Sequence, residues 1–368
     1  MIKSKGKVNN KSIYTLPAEW EIHKSTIICW AHQKEDWPGK FAPIPWVYTE
    51  IIKNIIPDEL VRIIVQSGEH KRKVEKILLK SHVDLNYVEF IILKTDRGWM
   101  RDSSPALVKY GNKITGISLN FNGWAKYDNW KKDKNIPKTI AKLLGIELHE
   151  MIYKGRKVVL EGGAIDTNGC GTLITTEECL LDDKIQVRNP GFTKEDYEKV
   201  FEKYFGITNV IWLGKGIKGD DTHGHIDDLC RFVNKNTVVI CHEETQDENK
   251  EILEENIKLL ENTRLKDGSK LNIIKIPMPT PIIFDNLRVP ASYANFYICN
   301  KSVLVPTFND VNDRIALNIF AGLFPAKKVI GIHAVDLIWG LGTLHCLTHE
   351  EPLIVTSNKK KLGLGIWG

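Results

Sequence analysis

Cys346 lies in the run Gly340-Leu-Gly-Thr-Leu-His345-Cys346-Leu-Thr348, flanked by small residues and a histidine that read as presenting a thiol. Far upstream, Gly219-Asp-Asp-Thr-His-Gly224-His225-Ile-Asp227-Asp228 offers an imidazole for proton transfer. Its carboxylates can hold a cation beside a sulfur nucleophile. Two more polar openings, Trp99-Met-Arg101-Asp102 and Glu161-Gly-Gly163, add acids to the set.

Several carboxylates around one cavity are unfavourable unless a cation neutralises them. That cation is either a metal or an organic group. His225, Asp227 and Cys346 are acceptable metal ligands, which keeps a metal-dependent hydrolase in view. One histidine, one cysteine and scattered acids without a local ligand pair is nevertheless an untypical zinc set. A guanidinium fits better, being planar, always charged and matched to carboxylates by its fork of N–H donors. Its central carbon is electrophilic toward a thiolate, and an imidazole can protonate departing ammonia and then activate water.

Something must bring these distant residues together. Residues 106–152 read as strand (Ala106–Tyr110), Gly111-Asn112 turn, strand (Lys113–Leu119), helix (Pro137–Leu144) and strand (Ile146–Ile152). The order returns with Ala164–Asp166, turn 167–169, Thr172–Thr176, helix Thr193–Tyr204 and strand Asn209–Leu213. It returns with Leu229–Val233, turn 234–236, Thr237–Cys241, helix Glu248–Asn262 and strand Leu271–Ile276. A further copy runs Asn295–Cys299, turn 300–302, Val303–Pro306, helix Val311–Leu323 and strand Lys328–His333. The Asn and Gly residues of the turns suit hairpins that need positive φ.

The start of the chain (Thr26–Cys29, helix Val47–Ile55, Leu60–Val65) supplies most of a fifth unit, which Leu344–Leu347 and Leu353–Val355 would complete. The expected fold is α/β, a closed five-fold pseudosymmetric propeller of strand–strand–helix–strand units. Its helices would be outside, and the alternative is an ordinary open α/β sheet. With no Pro/Gly/Ser linker, residues 1–368 are expected to form one domain, with 15–355 the propeller and 1–14 and the last residues peripheral. Equivalent ends of the units would converge on the axis. One site would then collect Asp102, Glu161, His225, Asp227 and Cys346, with His345-Cys346 opening the completing strand.

The bulk numbers agree with a soluble enzyme: 42% hydrophobic and 26% charged residues in a 368-residue chain. No apolar run approaches the roughly 20 residues of a membrane helix. The polar N-terminus lacks a secretory h-region, so a cytoplasmic location is expected. Seven scattered cysteines without a C-x-x-C pair argue against a disulfide framework and a zinc ribbon. Cys29, Cys230, Cys241 and Cys299 read as small buried hydrophobes. The net charge of +5 is spread out, and the one basic cluster, 359–361, is at the tail. No basic stripe interleaved with aromatics marks a nucleic-acid surface.

Several stretches together resemble the agmatine deiminase family of the guanidino-group-modifying (pentein) superfamily. They are Leu16-Pro-Ala-Glu-Trp20-Glu-Ile-His23, Trp99-Met-Arg-Asp102, Phe121-Asn-Gly-Trp124, Glu161-Gly-Gly163, Thr175-Thr-Glu-Glu-Cys179, Gly224-His225-Ile-Asp227, Ser292-Tyr-Ala-Asn295 and His345-Cys346. They run in family order from about residue 15 to 352. The resemblance implies a cofactor-free five-fold propeller that hydrolyses agmatine to N-carbamoylputrescine and ammonia, in putrescine biosynthesis. Cys346 would form a covalent thiouronium intermediate, with His225 as general acid then base, Glu161 orienting it, and Asp102 and Asp227 clamping the guanidinium. Trp99 would pack along the methylenes, and Asp220 or Asp221 would face the far ammonium. His345 would be structural, and Asp228 would serve the backbone or solvent.

A peptidyl- or free-arginine deiminase of the same chemistry is the nearest rival, with Lys126 a candidate carboxylate anchor. The expected partner is a small guanidine, with neither nucleic acid nor membrane, and a homodimer is an assembly left open. Asp96-Arg97-Gly98, His223, Leu341, Thr343 and Gln33–Gly39 depart from the family pattern, and all of them flank the pocket.

Overall fold

Apolar residues on both faces mark the central strands of this chain, as in Val238-Val-Ile-Cys241 and Val303-Leu-Val305, all fully buried. Such strands need cover on both sides. The computed structural model describes residues 14–354, and places these strands in five small sheets of one plan. In each, a first strand pairs antiparallel with a second, and after a helix a third lies parallel to the second.

The strand triplets are Ala106–Tyr110, Lys113–Ser118 and Leu148–Glu150; Asp166–Thr167, Thr172–Thr176 and Asn209–Leu213; and Cys230–Asn234, Thr237–His242 and Asn272–Pro277. The fourth is Tyr297–Ile298, Ser302–Thr307 and Lys328–His333. The fifth joins the two ends of the described chain, pairing Thr348–Pro352 with His23–Cys29, which lies parallel to Leu60–Val65. The sheets are separate, and none closes on itself among the described residues.

The helices are amphipathic and bury one stripe each. Lys250–Glu261, for example, buries Leu253, Asn256, Ile257 and Leu260. Lys194–Phe205 begins in a Thr193/Asp196 capping box and ends at left-handed Gly206 (φ 69°).

Three expectations are corrected. Leu344–Leu347 is a helical turn, not a strand, and the completing strand is Thr348–Pro352. A β-branched, extended Thr348 (ψ 151°) marks the switch. Leu353 and Ile354 fall outside any strand, while Val355 and the basic cluster lie outside the described residues. Gly111 and Gly169 do take positive φ, but the turns 234–236 and 300–302 contain no such residue. There the asparagines act through side chains instead. Asn234 Oδ1 accepts from Asn236 N (3.1 Å), and Asn300 brackets His23, its Oδ1 accepting from the amide and its Nδ2 donating to the carbonyl (2.9 Å each).

Candidate active site

Each unit is entered through a short polar segment. Asp102 sits in the turn Met100–Ser103, Glu161 just before Gly162–Ala164, Asp227 in Ile226–Asp228, and Cys346 in Leu344–Leu347. Asn295 precedes the fourth unit's first strand. Local sequence keeps the turns short: Pro105 drives Ser104 into extended backbone (ψ 160°), ending the first after one turn.

The five segments touch in a circuit. Gly163 N donates to Asp102 Oδ1 (2.9 Å), and the turn at 162–164 packs on 226–228. Asn295 Nδ2 donates to Asp228 Oδ1 (2.9 Å), and Asn295 Oδ1 accepts from Thr343 Oγ1 (2.8 Å) and His345 N (3.0 Å). The turn holding Cys346 packs back on the one holding Asp102. Gly163 is required at the centre: a Cβ there would lie 2.5 Å from His225 Nδ1 and 2.9 Å from Asp102 Oδ1.

The cysteine is not presented at the surface. It is 7% exposed, at the wall of a cavity of about 720 Å³ that Trp99, Asp102 and Trp124 also line. Asn295 Nδ2 lies 3.1 Å from Sγ and Asp227 Oδ2 3.6 Å. His225 stands among three carboxylates: Nε2 is 3.6 Å from Glu161 Oε2, and Nδ1 is 3.8 Å from Asp227 Oδ1 and 4.0 Å from Asp102 Oδ1. Neither ring nitrogen has a hydrogen-bond partner, nor has Asp227 Oδ1, although all three are buried. Buried polar atoms rarely remain so; Nδ1 and Asp227 Oδ1 face each other, while Nε2 is turned to Glu161.

Electrostatics follow from this crowding. Burial pushes the Cys346 thiol well above its usual range, and Asp227, Asp228 and Asp102 push it the same way, so the resting sulfur is protonated. Burial opposes a charge on His225, but Asp102, Cys179 and Glu161 override it and raise the imidazole well above its ordinary value. Asp102 is pushed up to about 6, first by burial and then by Asp227 and Glu161, against the pull of His225. Burial also disfavours ionised Glu161, yet Arg188, with Nε 3.2 Å from Oε2, holds it below the usual carboxylate range.

The ligand atoms of Glu161, Cys179 and His225, and those of Asp227, Asp228 and Cys346, lie within 4.8 Å of one another. The first trio already faces the Arg188 guanidinium, which repels a metal cation. In the second, Asp227 Oδ2 meets His345 Nδ1 and Asp228 Oδ1 accepts from Asn295.

All five residues expected to react are therefore brought together, and Trp99 lines the cavity. The distal expectations fare differently. Asp220 accepts from the backbone N–H groups of Thr222 (2.7 Å), Gly224 (2.7 Å) and His225 (2.9 Å), holding the histidine loop rather than facing the cavity. Asp221 does line it, paired with Lys126 and accepting from Tyr127 Oη (2.6 Å). Lys126 is paired with Asp221 and is not among the residues that line the cavity. Asp228 is buried and bound to Asn295, not turned to backbone or solvent.

Three partners carry no role in the sequence reading: Asn295 on the sulfur, which also holds Asp228 behind it, Arg188 on Glu161, and Trp124, whose Nε1 donates to Asp102 Oδ2 (2.8 Å). Asn295 had a signal, since it occupies in the fourth unit the place that acids occupy in the others. Arg188 had none, because it lies in the irregular loop between the second unit's strand and helix, away from the unit's opening.

Comparison with known proteins adds the family. Residues 15–352 match the sequence profile of the Porphyromonas-type peptidyl-arginine deiminases. The chain is 29% identical to an agmatine deiminase of Ectopseudomonas mendocina, over 92% of this chain and 95% of that one. Among solved structures, an agmatine deiminase of Enterococcus faecalis superposes with a TM-score of 0.85 at 26% identity, covering 96% of this chain and all of that one (100%). A cysteine-to-serine variant of C. jejuni agmatine deiminase with substrate bound gives a TM-score of 0.83 at 28% identity, with 93% and 97% coverage.

Proposed function

This chain belongs to the Porphyromonas-type peptidyl-arginine deiminase family, and from that we propose that it hydrolyses the guanidinium group of agmatine to N-carbamoylputrescine and ammonia. The observation that carries this reading is the meeting of a buried thiol, an unpartnered buried imidazole and three carboxylates, with Cys346 and Asp102 opening onto the cavity and the others packed behind them. We further read the five units as blades about one axis within a single catalytic domain.

In the proposed reaction the guanidinium enters between Asp102 and Asp227. Its positive charge reverses the field that keeps Cys346 protonated, so with substrate in place the thiol gives up its proton to solvent and the thiolate forms. The sulfur bonds to the guanidine carbon, and the tetrahedral adduct collapses as a C–N bond breaks. His225, protonated at rest, gives its proton to the leaving ammonia. The neutral imidazole then takes a proton from water as it attacks the thiouronium carbon. The C–S bond breaks as the adduct's hydroxyl gives its proton to the sulfur, which restores the Cys346 thiol, and the ureido product leaves. Glu161, anchored by Arg188, fixes the imidazole.

The outer cavity supports a substrate with a cationic far end. Glu35, Asp36, Asp128, Asp221 and Asp285 line it against a single arginine, Arg97. That arginine is already engaged, with Nη1 2.5 Å from Asp36 Oδ1 and its guanidinium 4.2 Å from the Tyr127 ring centre. Ammonia release from agmatine, free arginine and a peptide ending in arginine tests the assignment. Agmatine should be converted fastest, and conversion of the carboxylate-bearing substrates alone would overturn it.

A further inference from the structure

Glu19, in the Leu16–His23 stretch, lies outside the reaction described above, yet its carboxylate is one of the most engaged in the protein. It is buried, and accepts from Arg231 Nη2 (2.9 Å), Arg101 Nη2 (3.2 Å) and the amide of Ile298 (2.8 Å). Its Oε2 also stands 2.9 Å from His345 Nε2. On the other side of the same ring, Nδ1 stands 2.7 Å from Asp227 Oδ2. One buried imidazole is thus held between two carboxylates at hydrogen-bond distance.

Burial and the nearby Arg101 and Arg231 charges hold the His345 imidazole well below its ordinary value, so the ring is neutral and brings one proton. That proton serves the hydrogen bond from Nδ1 to Asp227 Oδ2, while Glu19 stands behind the ring at Nε2. The consequence for Asp227 is directional. Its Oδ2 is engaged by the ring, while its Oδ1 is buried, unpartnered and aimed toward His225.

We propose that His345, held from behind by Glu19, is a positioning residue that fixes the Asp227 carboxylate with Oδ1 turned to the substrate guanidinium. This rests on the reading of Asp227 as a guanidinium clamp. It gives a task to the residue before the nucleophile and to the Glu19 segment. Around Asp227 stand His225 and His345, the Asp102 and Asp228 carboxylates, the Cys346 thiol and, behind them, Arg231. Among these, His345 makes the closest contact.

Two amide substitutions separate the ends of the line, because the Asn amide nitrogen takes the place of Nδ1 and the Gln amide nitrogen that of Nε2. His345→Asn keeps a donor to Asp227, and KM for agmatine should stay within roughly threefold of the parent. His345→Gln keeps the contact with Glu19 but loses that donor. Its KM should rise roughly ten- to hundredfold, a charged hydrogen bond lost. Its kcat should change less than its KM, because the Cys346 and His225 side chains keep their places. Equal effects of the two variants, as packing alone would give, overturn the proposal.

Labelling of Cys346 by a haloacetamidine, whose amidinium can occupy the clamp without turnover, reads the same geometry independently. It should slow in the Gln variant and not in the Asn variant. If the parent protein releases no ammonia from agmatine, the functional reading fails, while the labelling ratio still decides the positioning role. Glu19→Gln tests the line from its other end should Gln at 345 prevent folding. It is expected to raise KM several-fold, and an unchanged KM overturns the link to Glu19.

Discussion

Asp102 shows how a single residue's environment sets the working range of the site. Burial and the neighbouring Asp227 and Glu161 push its carboxyl up to about 6. Guanidinium binding needs the carboxylate, and kcat/KM reports the free enzyme. The expected profile therefore falls as the pH drops through about 6, and falls again on the alkaline side as His225 loses its proton. The indole of Trp124 opposes the first shift by donating to Asp102 Oδ2. Trp124→Phe should move the acid limb upward by about half to one pH unit, one hydrogen bond's worth. A pH profile of kcat/KM for agmatine checks it, and an unmoved limb would show that Asp102 does not govern it.

At the scale of elements, the turns that open the units do two things: they aim a side chain, and they let backbones approach. Gly163 belongs to the second class. Gly163→Ala should lower kcat by at least about a hundredfold, since displacing His225 by part of an ångström spoils a near-attack geometry. The melting temperature should fall less dramatically, the overpacking being about 1–3 kcal/mol. The Asp220 loop belongs to the first class. Asp220→Ala leaves three backbone donors without their acceptor and should lower stability by about 2 kcal/mol, with kcat falling more than KM rises. A loss confined to KM would instead assign Asp220 to the substrate's far end.

For the whole molecule, the decisive contact is the pairing of Thr348–Pro352 with His23–Cys29. The strand begins two residues after the nucleophile, so the two chain ends and the reacting sulfur are held by one sheet. Arg62 pins that sheet through Glu351 and Ser25 on one side and Glu89 (2.7 Å) on the other. Glu351→Ala leaves a buried guanidinium short of its partner and should lower the unfolding free energy by about 3 kcal/mol. Urea titrations followed by fluorescence and by ammonia release should show both midpoints falling together. An activity midpoint that stays put would mean the site does not depend on the closing strand.

Much of this was legible in the chain itself. Strand–turn–strand–helix–strand order follows from alternating local patterns, which are properties of neighbouring residues. The reacting set could be collected because Asp102, Glu161, His225, Asp227 and Cys346 recur at one place in that order. What the sequence left undecided depends on tertiary contacts. The helical turn at 344–347 follows from packing against the turn at 100–103 rather than from local propensity. Asp220 looked like a substrate ligand until its oxygens were seen to hold the histidine loop. Arg188 and Trp124 reach the site from irregular loops folded back on the openings of their own units, and Glu19 from a neighbouring one, and such contacts leave no period in the sequence.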